Sequence, residues 1–119
     1  MKISNGVKDC LFCKIAKKEL PSAVIYEDDE VIGFKNIYPE APVHLLFIPK
    51  RHIEWGDKFS GKESLIIAGI ISAAKKVALE QKIFAACKFI FNVGETGHIA
   101  HIHLHLLGGW KGEIPLRNI

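Results

Sequence analysis

The spacing of apolar and polar positions changes several times along the chain, and each change of period marks an element. Ala23 to Glu27 and Val31 to Lys35 are β-rich runs on either side of Asp28-Asp29-Glu30, which predicts a hairpin. Asn36 to Val43, with Pro39 and Pro42, reads as a loop, and His44 to Ile48 reads as a third strand ended by Pro49. Lys88 to Val93 is a fourth strand. The fifth is His101-Ile102-His103-Leu104-His105-Leu106-Leu107, where polar and apolar residues alternate strictly.

Helical spacing appears twice. Leu11, Phe12, Ile15 and Ala16 form a short helix that Pro21 stops. Ser60-Gly61-Lys62-Glu63 has the form of a capping box, so a long helix is expected from Gly61 to Gln81. Its stripe of Ile66, Ile67, Ile70, Ile71, Ala74, Val77 and Ala78 must pack on a sheet. Strands joined by hairpins and one long helix predict an α+β fold, an antiparallel sheet with the helices on one side. Residues 1–9, with Asn5-Gly6, read as a loose arm and 110–119 as a tail. No repeat, low-complexity segment or linker interrupts the chain, so 1–119 is read as one domain.

Composition narrows the function classes. With 119 residues, 49% apolar and 24% charged, the chain can bury one core and is not a disordered segment. A net charge of +3 without a stripe of Lys and Arg argues against nucleic acid as partner; Lys17-Lys18 and Lys75-Lys76 are only small basic spots. Met1 to Lys8 lacks the apolar core of a signal peptide, and the longest apolar run, Leu65 to Ala74, is about half of the roughly 20 residues a membrane span needs. A cytoplasmic protein with no membrane partner is expected. Three cysteines in that setting are thiols or metal ligands rather than a disulfide framework.

The alternation at His101, His103 and His105 places three imidazoles on one strand face, about 6 to 7 Å apart, while Ile102, Leu104 and Leu106 face the other way. A neutral imidazole can act as nucleophile or proton carrier near neutral pH. This His-φ-His-φ-His-φ-φ run, with φ apolar, resembles the defining motif of the histidine triad family of nucleotide hydrolases and transferases. Cys10-Leu11-Phe12-Cys13-Lys14-Ile15, Glu19-Leu20-Pro21 and the segment from Pro39 to Ile53 match the same family in order, and the whole is most similar to its Hint branch.

The resemblance implies a five-stranded antiparallel sheet with two helices, pairing into a homodimer through the long helix and a strand so that the two sheets become continuous. It implies His103 as nucleophile on an α-phosphate, His105 as a hydrogen-bond donor to that phosphate, His101 as the first triad histidine and His44 as their support. Asn92 matches a residue contacting phosphate or leaving group. Leu11, Phe12, Ile15, Phe34 and Ile37 fall at the positions of an apolar base pocket, with ordinary core packing as the competing reading, above all for Leu11 and Ile15. At the position of the family's acidic ribose contact stands Asn36, which forgoes a charge-assisted bond. Before the triad, Thr96-Gly97-His98 replaces the family's Gly-Gln-Ser/Thr, so Gly97 and His98 are further candidates for contacting the substrate.

Cys10-x-x-Cys13 at a helix start is a metal half-site suited to tetrahedral zinc, with two buried or redox-active thiols as the competing reading. The resemblance supplies the other half, His52 and His101, which would make a closed structural zinc centre not required for the chemistry. Cys87, opening an apolar run, reads as core. The expected activity is cleavage of a nucleoside monophosphate, of purine type such as AMP or GMP, from a phosphoramidate or acyl-adenylate through a nucleotidyl-histidine. The alternatives are hydrolysis of dinucleoside polyphosphates, and a nucleotide- or zinc-binding module with little catalysis.

Overall fold

The computed structural model describes residues 2–4, 10–56, 58–94 and 99–115. In chain order the elements are β1 (Lys2–Ser4), α1 (Leu11–Ala16), β2 (Val24–Glu27), β3 (Val31–Lys35), β4 (Val43–Pro49), β5 (His52–Glu54), α2 (Gly61–Glu80), β6 (Cys87–Phe91) and β7 (Leu104–Gly108). Five strands form the expected antiparallel sheet in the order β2-β3-β4-β7-β6. The hairpin at Asp28 closes because its carboxylate accepts from the backbone N–H groups of Glu30 and Val31, each at 2.8 Å.

A second, two-stranded sheet was not expected. Within the predicted loose arm, Lys2–Ser4 pairs antiparallel with β5, Ser4 opposite His52 and Lys2 opposite Glu54. The predicted capping box is present: Ser60 Oγ accepts from Glu63 N–H at 3.2 Å and the Glu63 carboxylate accepts from Ser60 N–H at 2.7 Å. Of the predicted stripe, Ile66, Ile70, Ala74, Val77 and Ala78 are buried, Ile67 is half-buried and Ile71 is exposed.

The helices do not share a side of the sheet, which corrects the expectation. α2 packs on Val31, Leu45, Phe47, Leu104 and Leu106. Ile32, Phe34, Leu46 and Ile48, the alternate residues of β3 and β4, pack with Phe12 and Ile15 of α1. Successive strand residues point to opposite faces, so the uninterrupted apolar run Leu45-Leu46-Phe47-Ile48 makes both faces hydrophobic and both need cover. Gly33 is where the first layer is tightest: a Cβ there would stand 2.6 Å from the Phe47 ring.

The triad strand is shorter than its alternation predicts. Its ladder against β4 begins at Leu104, opposite Phe47. The preceding residues leave β4 for β5, where His101 forms a bridge with Glu54 and Ile102 N–H donates to the Ile53 carbonyl at 2.7 Å. The pattern of sides persists through the change, since Ile102, Leu104 and Leu106 all lie in the α2-side core. That leaves the histidines to the α1 side.

Candidate active site and metal centre

On the α1 side, an apolar cleft of about 570 Å³ opens between α1, the β3–β4 loop and the triad. That volume suits a drug-sized or nucleoside-sized ligand. Leu11, Phe12, Ile15, Phe34, Asn36, Ile37, His103 and His105 line it, as do Leu20, Pro21, Tyr38 and Ile99, which sequence reasoning had not assigned to a site. Ile37 and Tyr38 are each 79% exposed at its rim. Glu19-Leu20-Pro21 had carried a signal, as part of the resemblance, without being placed. Gly97 and His98 lie outside the described residues.

The imidazoles are ordered by their hydrogen bonds. Glu40 N–H donates to His44 Nδ1 at 3.1 Å, so neutral His44 carries its proton on Nε2, which donates to His105 Nδ1 at 2.9 Å. His105 then carries its own proton on Nε2. The His101 carbonyl accepts from His103 Nδ1–H at 2.8 Å, which leaves the lone pair of neutral His103 on Nε2. Two adjacent imidazoles of one cleft thus bear opposite tasks: a lone pair on His103 and a proton on His105. Burial pushes the His44 pKa below its ordinary value of 6.5, with Glu40 opposing, so the ring stays neutral as this relay requires. Phe12 sets its edge against His103, with ring centroids 5.1 Å apart.

Asn36 is more than a wall of the cleft. Its Oδ1 accepts from Tyr38 N–H at 2.9 Å, and its Nδ2 lies 3.2 Å from His44 Nε2. Asn92 follows β6 directly after Phe91, which pairs with Leu104 at the end of the β6–β7 ladder. Its Nδ2 is a buried donor with no hydrogen-bond partner among the described residues.

His101 does not line the cleft and turns away to the thiols. Cys10 caps α1, accepting from Cys13 N–H at 3.4 Å, and this turn brings both sulfurs to one side. His101 Nδ1 lies 3.5 Å from Cys10 Sγ and 3.6 Å from Cys13 Sγ, and His52 Nδ1 lies 3.2 Å from Cys13 Sγ. All four donor atoms are within 4.8 Å of one another. A tetrahedron built on Zn–S of 2.3 Å and Zn–N of about 2.0 Å has S···N edges of about 3.5 Å, so the donor set fits zinc in kind and in spacing. The outer nitrogens are held as ligating histidines need: His101 Nε2–H donates to the Pro49 carbonyl at 2.8 Å and His52 Nε2–H to Glu54 at 2.6 Å. Burial, with His52 and His103 adding to it and the Pro49 carbonyl opposing, takes the His101 pKa down to about 4, leaving it a neutral ligand. Cys87 is half-buried and remote from this cluster in the fold, at the start of β6.

Residues 9–113 match the family model described as scavenger mRNA decapping enzyme C-term binding. The chain is 36% identical over 104 residues to an uncharacterised HIT-like protein of Synechocystis, covering 86% of this chain and 91% of that protein. It is 39% identical over 111 residues to a 14 kDa zinc-binding protein of Brassica juncea, covering 90% and 98%. Among solved structures, a HIT family hydrolase from Legionella pneumophila superposes with a TM-score of 0.81 at 42% identity, covering 90% of this chain and 98% of that one. A histidine triad protein from Clostridium difficile superposes with a TM-score of 0.84 at 36% identity, covering 95% and 99%.

Proposed function

The chain belongs to the histidine triad family, and on that premise we propose that it is a nucleotide hydrolase or transferase that releases a nucleoside monophosphate, of purine type, from a phosphoramidate or acyl-adenylate. The observation that supports this reading is the pair of tautomers beside one cleft, a lone pair on His103 Nε2 and a proton on His105 Nε2. His103 Nε2 attacks the α-phosphorus as the bond to the leaving group breaks; a departing amine takes its proton from solvent, and a carboxylate leaves as the anion. His105 Nε2–H holds a phosphate oxygen as charge grows there. Water then attacks the phosphorus of the nucleotidyl-His103, giving up a proton to solvent as the P–N bond to the imidazole breaks, which releases the monophosphate and restores neutral His103. Asn92 Nδ2, buried just after β6, is the second donor.

Cys10, Cys13, His52 and His101 would hold zinc, whose contribution is structural: four protein ligands leave no position open for substrate. The His101 carbonyl, on the same residue, keeps the His103 proton on Nδ1. A cytoplasmic homodimer joined through α2 and a strand, without nucleic-acid or membrane partners, completes the proposal. No described helix is long and apolar enough to cross a membrane. A monomeric mass in light scattering at micromolar concentration would contradict the dimer.

The deciding experiment measures turnover of adenosine 5′-phosphoramidate and of a diadenosine polyphosphate by the wild type and His103→Ala. Preference for the phosphoramidate, a nucleotidyl-protein trapped on quenching, and neither in His103→Ala are the expected results. Equal rates in the two proteins exclude His103 as nucleophile. Tight binding of AMP without adduct or turnover would leave a binding module instead, a reading motivated by the Asn36 amide, whose oxygen accepts from Tyr38 N–H, and by Thr96-Gly97-His98.

A further inference from the structure

We propose that Glu54 is the positioning residue of the Cys10–Cys13–His52–His101 centre, presenting His52 Nδ1 to a divalent zinc-class cation; this rests on the zinc reading given above. The Glu54 carboxylate lies 2.6 Å from His52 Nε2, the outer nitrogen of the ring. An imidazole can offer a metal either nitrogen, and which one it offers is set by what the other holds. With its Nε2 proton donated to a carboxylate, His52 keeps its lone pair on Nδ1, 3.2 Å from Cys13 Sγ. The other neutral tautomer would set an Nε2 lone pair against the carboxylate, and a ring turned over would put carbon in place of nitrogen at both contacts, so the buried side chain is confined to one tautomer and one orientation.

The local fold explains why Glu54 can do this. His52 and Glu54 are alternate residues of β5 and project to the same side of the strand. The same residue also reaches the second histidine through its backbone, since the bridge between Glu54 and His101 registers the approach to the triad against β5. The two ligating histidines are oriented by different means. His101 relies on a main-chain carbonyl, that of Pro49, which no side-chain substitution removes. His52 relies on a side chain, so its orientation depends on residue type at position 54. Outer partners of this kind are worth roughly 10- to 100-fold in metal affinity.

The test uses the full chain, purified without a metal-affinity tag, as wild type, Glu54→Gln and Glu54→Leu. Zinc affinity is measured in competition with a chromophoric chelator, and the metal-free melting temperature of each protein is recorded alongside. The dissociation constant for zinc should rise about 10- to 100-fold in Glu54→Leu, with partial rescue in Glu54→Gln, whose amide oxygen still accepts from Nε2–H. Cobalt-loaded Glu54→Leu should show a weakened or displaced thiolate-to-cobalt band relative to wild type. Zinc affinity of Glu54→Leu within twofold of wild type overturns the role of Glu54 while the metal centre stands. Wild type that takes up no zinc, with both thiols freely titratable, overturns the centre and this role together. Imidazole ¹⁵N spectra of the zinc-loaded wild type decide the point without any variant: metal on His52 Nδ1 is expected, and metal on Nε2 refutes the proposal.

Discussion

The relay behind His105 makes a quantitative prediction. In His44→Phe the ring volume at a buried position is retained, but the donor 2.9 Å from His105 Nδ1 is removed, as is the acceptor for Glu40 N–H. Glu40 is exposed and its amide can turn to water, whereas His105 is buried and its Nδ1 cannot. Leaving such an acceptor without its donor costs about 1–3 kcal/mol. Without the His44 donor nothing favours the His105 proton on Nε2, and the form with the proton on Nδ1 turns a lone pair toward the phosphate oxygen it should hold. The two neutral tautomers are close in energy in water, so losing that bias leaves about half of the rings with the proton on Nε2 and lowers the competent fraction roughly 2-fold. The kcat/KM for adenosine 5′-phosphoramidate should fall by that factor, and the free energy of unfolding in urea should fall by no more than about 3 kcal/mol. A folded His44→Phe protein with wild-type kcat/KM would refute the relay, and a loss far beyond about tenfold would mean that His44 touches the reacting atoms itself.

Three further outcomes are expected. Cys13→Ser should release zinc; if the wild type is saturated at about 1,000 times its Kd, that removes about 4 kcal/mol, or roughly 15 °C of Tm for a domain of this size, while the nucleotidyl-His103 adduct remains detectable. Loss of the adduct in a still-folded protein would place the metal in the chemistry. Because burial holds the pKa of His44 below 6.5, the unfolded chain takes up the proton first as pH falls; the stability that His44 contributes is complete above 6.5 and declines below it toward the folded pKa. The acid limb of kcat/KM that His44→Phe abolishes should accordingly lie below pH 6.5, and a midpoint above that value would contradict the neutral relay. Gly33→Ala should cost about 1–3 kcal/mol in urea unfolding, since the added methyl meets the buried Phe47 ring at 2.6 Å; an unchanged midpoint would show that the ring can shift freely.

Local chemistry was legible in the residues themselves. Asp28 could be read as a turn residue and Ser60 with Glu63 as a cap, because each acts on backbone groups two or three positions away. The alternation at 101–107 separated the histidines from Ile102, Leu104 and Leu106 for the same reason, since the period of two is a property of the extended chain. Asn36 could be placed at the cleft through the family resemblance, but its contact with His44 joins residues on β3's end and β4 and depends on how the loop between them closes. β5 escaped notice because three residues carry too short a period to read, and Glu54 escaped with it although His-x-Glu on a strand would have put both on one side.

The sequence by itself therefore determined both helices and the five strands of the main sheet in outline, which face of each is apolar, and which side chains could carry nucleophile, donor and thiolate chemistry; these follow from periodicity and side-chain type. Only the tertiary structure decided that α1 and α2 cover opposite faces, that β1 joins β5, and that His101 leaves the cleft for Cys10 and Cys13 while its carbonyl stays with His103. Those outcomes are set by contacts between residues far apart in the chain, such as 10 with 101 and 44 with 105, and a one-dimensional pattern carries no term for which apolar face finds which partner or which imidazole nitrogen keeps its proton.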